Sequence, residues 1–153
     1  MYFPNIAPRD ANTSHGNKNL GDLPEWDLSD LYEGEDAPQL TSDLQWLEGE
    51  CAQFAQDYQN KLATLNADEL LSCIHRNEKI SAIAGRIMSF AGLRYYQMTT
   101  DSNRAKFMSD AQEKITNFTT PLVFFTLEIN RLEEGHLDTL FAKNTELARY
   151  QPV

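Results

Sequence analysis

Apolar residues recur along most of this chain at helical spacing. Leu40, Leu44, Leu47, Cys51, Phe54 and Tyr58 follow one another by three or four residues, which lays one apolar stripe along a helix. Asp43, Glu48, Glu50, Gln53 and Asp57 fall on the other face and read as solvated. Pro38 suits the first helical position, with Asp36 as the candidate cap. Asn66-Ala67-Asp68-Glu69 is a capping box, and it opens a second helix through Leu70, Leu71 and Ile74. That helix can run on through Lys79 into a third stretch, where Ile80, Ile83, Ala84, Ile87, Ala91 and Tyr95 keep the period. Gly85 and Gly92 lie inside this stretch. Each costs about 1 kcal/mol relative to Ala in a helix, so close approach of another helix is the expected reason for them.

Thr99-Thr100-Asp101-Ser102 breaks the pattern with cap residues. A fourth helix carries Ala105, Met108, Ala111, Ile115 and Phe118 until Pro121 interrupts it. The run Leu122-Val123-Phe124-Phe125 could form a buried strand. Its continuation to Leu127, Ile129 and Leu132 favours a buried helix. A fifth helix holds Leu137, Leu140 and Phe141 and stops near Asn144, and Glu146 to Tyr150 begins a last short turn. The expected fold is all-α, a bundle of about five helices. An extended lead-in precedes it at Leu23–Tyr32, held across the domain by Trp26 and Tyr32 and ended by Gly34. Residues 1–20 are polar, with Pro4, Pro8 and Gly16, and read as a flexible tail. The helical domain occupies 21–153.

Composition narrows the function. The chain has 153 residues, one domain's worth, and 41% of them are hydrophobic, enough for a core. Its formal charge of −10 opposes binding to nucleic acid, where Lys and Arg must replace counterions, and to anionic membrane surfaces. No stretch approaches the roughly 20 apolar residues of a membrane span, and no signal-like segment opens the chain, so a cytoplasmic protein is expected. Cys51 and Cys73 form no CxxC pair and read as reduced core residues.

Candidate chemistry is sparse. His15 lies in the tail and His136 between helices, where a surface position is expected. His75 and Glu78 share a helix face as His-x-x-Glu, a pair more often structural than metal-binding. There is no His-Glu-x-x-His and no Gly-x-Ser-x-Gly, and the glycines never cluster into a phosphate loop. Cys73 and His75 are two apart, so on a helix they point away from each other. The Glu133-Glu134 pair reads as solvated. Glu128 sits inside an apolar run and needs a partner, with Arg86, Arg94 or Arg131 as candidates; the sharper alternative is a carboxylate lining a shared channel. No catalytic, cofactor-binding or metal-binding residue is assigned to this chain, and its substrate-binding residues stay open.

Three blocks carry a family resemblance: Leu23-Pro24-Glu25-Trp26-Asp27-Leu28-Ser29-Asp30-Leu31-Tyr32, Ser89-Phe90-Ala91-Gly92-Leu93-Arg94-Tyr95-Tyr96, and Thr120-Pro121-Leu122-Val123-Phe124-Phe125-Thr126-Leu127-Glu128-Ile129-Asn130. Their order and separation resemble the N-terminal region of the oligoendopeptidase F group of M3 zinc metallopeptidases, over about residues 20–150. The resemblance implies a helical bowl around a deep channel and hydrolysis of short peptides. The zinc would sit on a His-Glu-x-x-His helix plus a downstream Glu, well C-terminal to this region. It implies that this chain is part of the channel wall, inactive alone, with the C-terminal catalytic domain as its partner and zinc only in the full enzyme. Where the family continues into further helices, this chain reads Gln151-Pro152-Val153, so a fragment, a truncated or frameshifted product, or an isolated domain is expected. The competing expectation is a stand-alone helical interaction module. A weaker third is a metal-binding bundle on His75 and Glu78.

Overall fold

The computed structural model describes residues 26–151. The expected tail at 1–20, with His15, lies outside them. Five α-helices follow in order: α1 (Pro38–Tyr58), α2 (Ala67–Gln97), α3 (Ser102–Thr119), α4 (Val123–Ile129) and α5 (Glu134–Lys143). Short 3-10 turns at Leu62–Thr64, Thr120–Leu122 and Leu147–Tyr150 complete the order, and no strand is present among the described residues. The expected all-α bundle is what forms.

The helix count of about five agrees, with the chain read through at Lys79 and broken at Pro121. The second and third stretches fuse into α2, 31 residues long. Nothing in Arg76-Asn77-Glu78-Lys79 opposes helix, and Cys73, Ile80, Ile87, Phe90 and Ala91 bury a single stripe across the joint. The segment after Pro121 separates as α4. Pro121 has no N–H to continue the ladder of α3, and Thr119 and Thr120 turn their hydroxyls back onto the carbonyls of Ile115 and Thr116 at 2.8 and 2.7 Å.

The ends of the helices follow local chemistry, with one correction. Asn66 and Glu69 complete the capping box on α2, the Asn66 side chain accepting from the Asp68 and Glu69 N–H groups and Glu69 accepting from the Asn66 N–H. Asp101 caps α3. Asp36 does not cap α1: the cap position is Ala37, which makes no side-chain cap bond, and the fixed φ of Pro38 starts the helix instead. Asn60, just past α1, has φ of 63°, the left-handed region that Asn tolerates better than most residues.

Two apolar clusters hold the bundle. The larger joins Tyr32, Leu40, Leu47, Phe54, Leu62, Ile80, Ile87 and Phe90 with Ala111 of α3 and Phe124 of α4. The smaller joins Ala67, Leu70 and Leu71 of α2 to Leu140 of α5 and Leu147 of the last turn. At 1.5 Å per residue α2 is about 46 Å long, so one helix supplies both clusters and acts as the spine. The expectation for the two glycines is not met. A Cβ on Gly85 would meet nothing within 4 Å, and one on Gly92 would touch only the Tyr96 ring of the same helix at 3.8 Å. The small residues that α2 buries completely are Cys73 and Ala91.

The lead-in is half as expected. Tyr32 is buried edge-on to Phe90, with ring centroids 5.4 Å apart. Trp26 is 57% exposed and is held by its backbone, whose carbonyl accepts from Gln97 Nε2 at 2.7 Å; Leu23, Pro24 and Glu25 lie outside the described residues.

Candidate functional site

Three gatherings of polar side chains among the described residues bear on the candidate chemistry. In the first, Asp43 of α1 is buried and accepts from Tyr32 Oη at 2.7 Å and Gln39 Nε2 at 2.8 Å. Arg86 of α2 pairs with the same carboxylate and donates from Nε to the Tyr32 hydroxyl at 3.0 Å. Burial first, then the hydrogen bond to Asp43, push the Tyr32 hydroxyl up to about 12. Every polar group here has a partner, and the triad locks the lead-in to α1 and α2. The sequence reading placed Asp43 on the solvated face; it is buried, and with Leu40, Leu47, Cys51 and Phe54 it keeps the three- and four-residue period of the buried stripe, so the spacing carried the signal and the residue's charge masked it.

In the second place, Arg76 of α2 donates to Glu50 and Asp57 of α1, both at 2.8 Å. Its guanidinium lies 5.3 Å from the centre of the Tyr58 ring. The hydrogen bond from Arg76 holds the Asp57 carboxyl below the usual carboxylate range. These are ties between two helices.

The third place joins α2 to the chain's last turn. His75 Nε2 lies 3.6 Å from Glu146 Oε1, and Tyr150 donates its hydroxyl to Glu78 Oε2 at 3.0 Å. His75 and Glu78 do share a helix face, as their spacing requires, but each has a partner from the last turn. Among the described residues, no three His, Cys, Asp or Glu side chains converge as a metal would need. The zinc that the resemblance implies finds no fitting ligand set in this region.

The remaining expected residues fall as follows. Cys51 and Cys73 are free and buried, and burial pushes their thiols up to about 11 and about 12, which makes them poor nucleophiles. Among the described residues Glu128 pairs with no arginine. Its Oε1 accepts from the Asn60 N–H at 2.7 Å and its Oε2 from the Leu62 N–H at 3.4 Å, so it clamps α4 to the α1–α2 connection. Arg86 is taken by Asp43, and Arg94 donates to Glu35 at 3.2 Å. His136 is half-buried: it sits in the first turn of α5, with its Nε2 buried and without a hydrogen-bond partner among the described residues. Of the apolar run 122–125, only Phe124 is buried; Val123 is 59% exposed, and Leu127 one turn on is 51% exposed. No described helix is long and apolar enough to cross a membrane.

Two of the resembling blocks meet in space. Tyr32 packs on Phe90, and Gln97, one residue past the second block, holds the Trp26 carbonyl. Comparisons of the chain with known protein families, curated proteins and solved structures find no match.

Proposed function

We propose that this chain is the non-catalytic N-terminal helical domain of a zinc-dependent oligoendopeptidase of the F group, a cytoplasmic enzyme that hydrolyses short peptides. In this reading it forms part of the channel wall, and a C-terminal catalytic domain holding the zinc is its partner. The observation that carries the reading is the set of three blocks, Leu23–Tyr32, Ser89–Tyr96 and Thr120–Asn130. Two further features support it. The first two blocks pack on each other through Tyr32 and Phe90. The third presents Val123 and Leu127 outward, one turn apart on α4, as a helix does when a neighbour covers it.

The test is twofold. The purified 153-residue protein, supplied with zinc and a quenched fluorescent peptide, is expected to show no cleavage above the zinc-only blank. Zinc-dependent turnover would overturn the non-catalytic assignment. The source DNA read past the codon for Val153, in all three frames, is expected to encode His-Glu-x-x-His. Unrelated sequence there removes the peptidase wall and leaves the second reading.

That second reading is a stand-alone helical interaction module. It is favoured by the completeness of the core: Leu47, Phe54, Leu62, Cys73, Ile87, Ala91 and Leu147 are all 0% exposed without any other chain. A monomer with one cooperative melting transition supports the module. Association or aggregation through the Val123–Leu127 face supports the wall.

A further inference from the structure

Two cavities meet at one pair of side chains. The first, of about 500 Å³, opens between α2, α4 and α5 and is walled by Ile74, Phe125, Ile129, Leu137 and Phe141. The second, of about 460 Å³, is lined by His75, Glu78, Glu146, Arg149 and Tyr150. Glu78 and Tyr150 line both. The apolar cavity therefore ends at a carboxylate, held in place by the hydroxyl of Tyr150 at 3.0 Å.

The volume of the first cavity lies within the range of small-molecule sites, and its lining has their usual character, apolar and aromatic with few polar groups. Charge decides what the polar end of a ligand must be. Glu78 is the charged side chain in the apolar cavity's lining. In the second cavity two carboxylates, Glu78 and Glu146, stand with Arg149 and with His75, whose Nε2 lies 3.6 Å from Glu146 Oε1, in a chain of net charge −10. An anionic headgroup would meet both carboxylates, whereas a protonated amine is attracted by them.

We propose that this junction binds a small amphipathic cation, its apolar body in the cavity between α2, α4 and α5 and its single ammonium group at Glu78 and Glu146. The site stands apart from the peptidase reading, because its argument uses only the cavity walls and the two carboxylates. Burial of the apolar body supplies most of the affinity, and the carboxylates select the sign of the headgroup.

The test titrates the full 153-residue protein with n-octylammonium, n-octanoate and n-octanol at neutral pH and low salt, followed by ligand-observed NMR. Octylammonium is expected to bind saturably, and octanoate at least tenfold more weakly. Glu78→Gln keeps an acceptor for the Tyr150 hydroxyl. It is expected to weaken octylammonium by about two- to fivefold, the size of one solvent-accessible charge interaction, and to leave octanol unchanged. The double variant Glu78→Gln/Glu146→Gln should bring octylammonium down to the octanol level. Octanoate binding as tightly as octylammonium, or an unchanged affinity in the double variant, overturns the proposal. Absence of saturable octylammonium binding also overturns it and leaves the cavity to a partner helix.

Discussion

Replacing Asp43 by Ala tests the buried triad most directly. Asp43 is 6% exposed and serves three donors: the Tyr32 hydroxyl, the Gln39 amide and the Arg86 guanidinium. The three do not lose equally when it goes. The Tyr32 hydroxyl is buried, and its proton is left without an acceptor, which costs about 1–3 kcal/mol. The Arg86 side chain is 37% exposed, so water takes over much of its solvation, and the lost ion pair costs about 1 kcal/mol, not the 3–5 kcal/mol of a fully buried pair. Gln39 is exposed and rehydrates at little cost. The expected loss is about 3 kcal/mol, read from urea unfolding followed by circular dichroism at 222 nm. Arg86→Ala should also cost about 2–3 kcal/mol, because it leaves the buried Asp43 carboxylate without a counter-charge while Tyr32 and Gln39 still donate to it. Should Asp43→Ala lose under about 1 kcal/mol, the claim that this carboxylate fastens the lead-in to the bundle is refuted.

Three further outcomes are expected. Gly85→Ala should stabilise the protein by about 0.5–1 kcal/mol, because the site is helical and a Cβ there meets open space; a loss measured in the same urea assay would mean the glycine is needed after all. Leu147→Ala should cost about 2–5 kcal/mol, since Leu147 is 0% exposed in the smaller cluster; a thermal melt like that of the parent protein would show that the last turn is not part of the fold. Stability should hold up to about pH 9 and fall towards pH 12, because burial raises the pKa values of Tyr32, Cys51 and Cys73, and a raised value stabilises the fold only while the group stays protonated. A urea midpoint that does not move between pH 8 and pH 12 contradicts this.

What the sequence alone determined is what depends on neighbours a few residues apart. Helix existence followed from apolar spacing of three and four, the start of α2 from Asn66 and Glu69, the start of α3 from Asp101, and the division between α3 and α4 from Pro121. The burial of Cys51 and Cys73 was also legible, because both sit on apolar stripes. What only the tertiary structure decided is what depends on residues far apart in the chain. Asp43 keeps the period of the buried stripe, but its partners Tyr32 and Arg86 reach it from separations of 11 and 43 residues, which spacing along one helix does not report. Glu128 looked like half of an ion pair until the backbone of Asn60 and Leu62 arrived from separations of 68 and 66. The junction at Glu78 and Tyr150 joins groups 72 residues apart. Periodicity reports which face of a helix is apolar. It does not report which segment comes to lie on that face, because that choice is made by the packing of the whole chain.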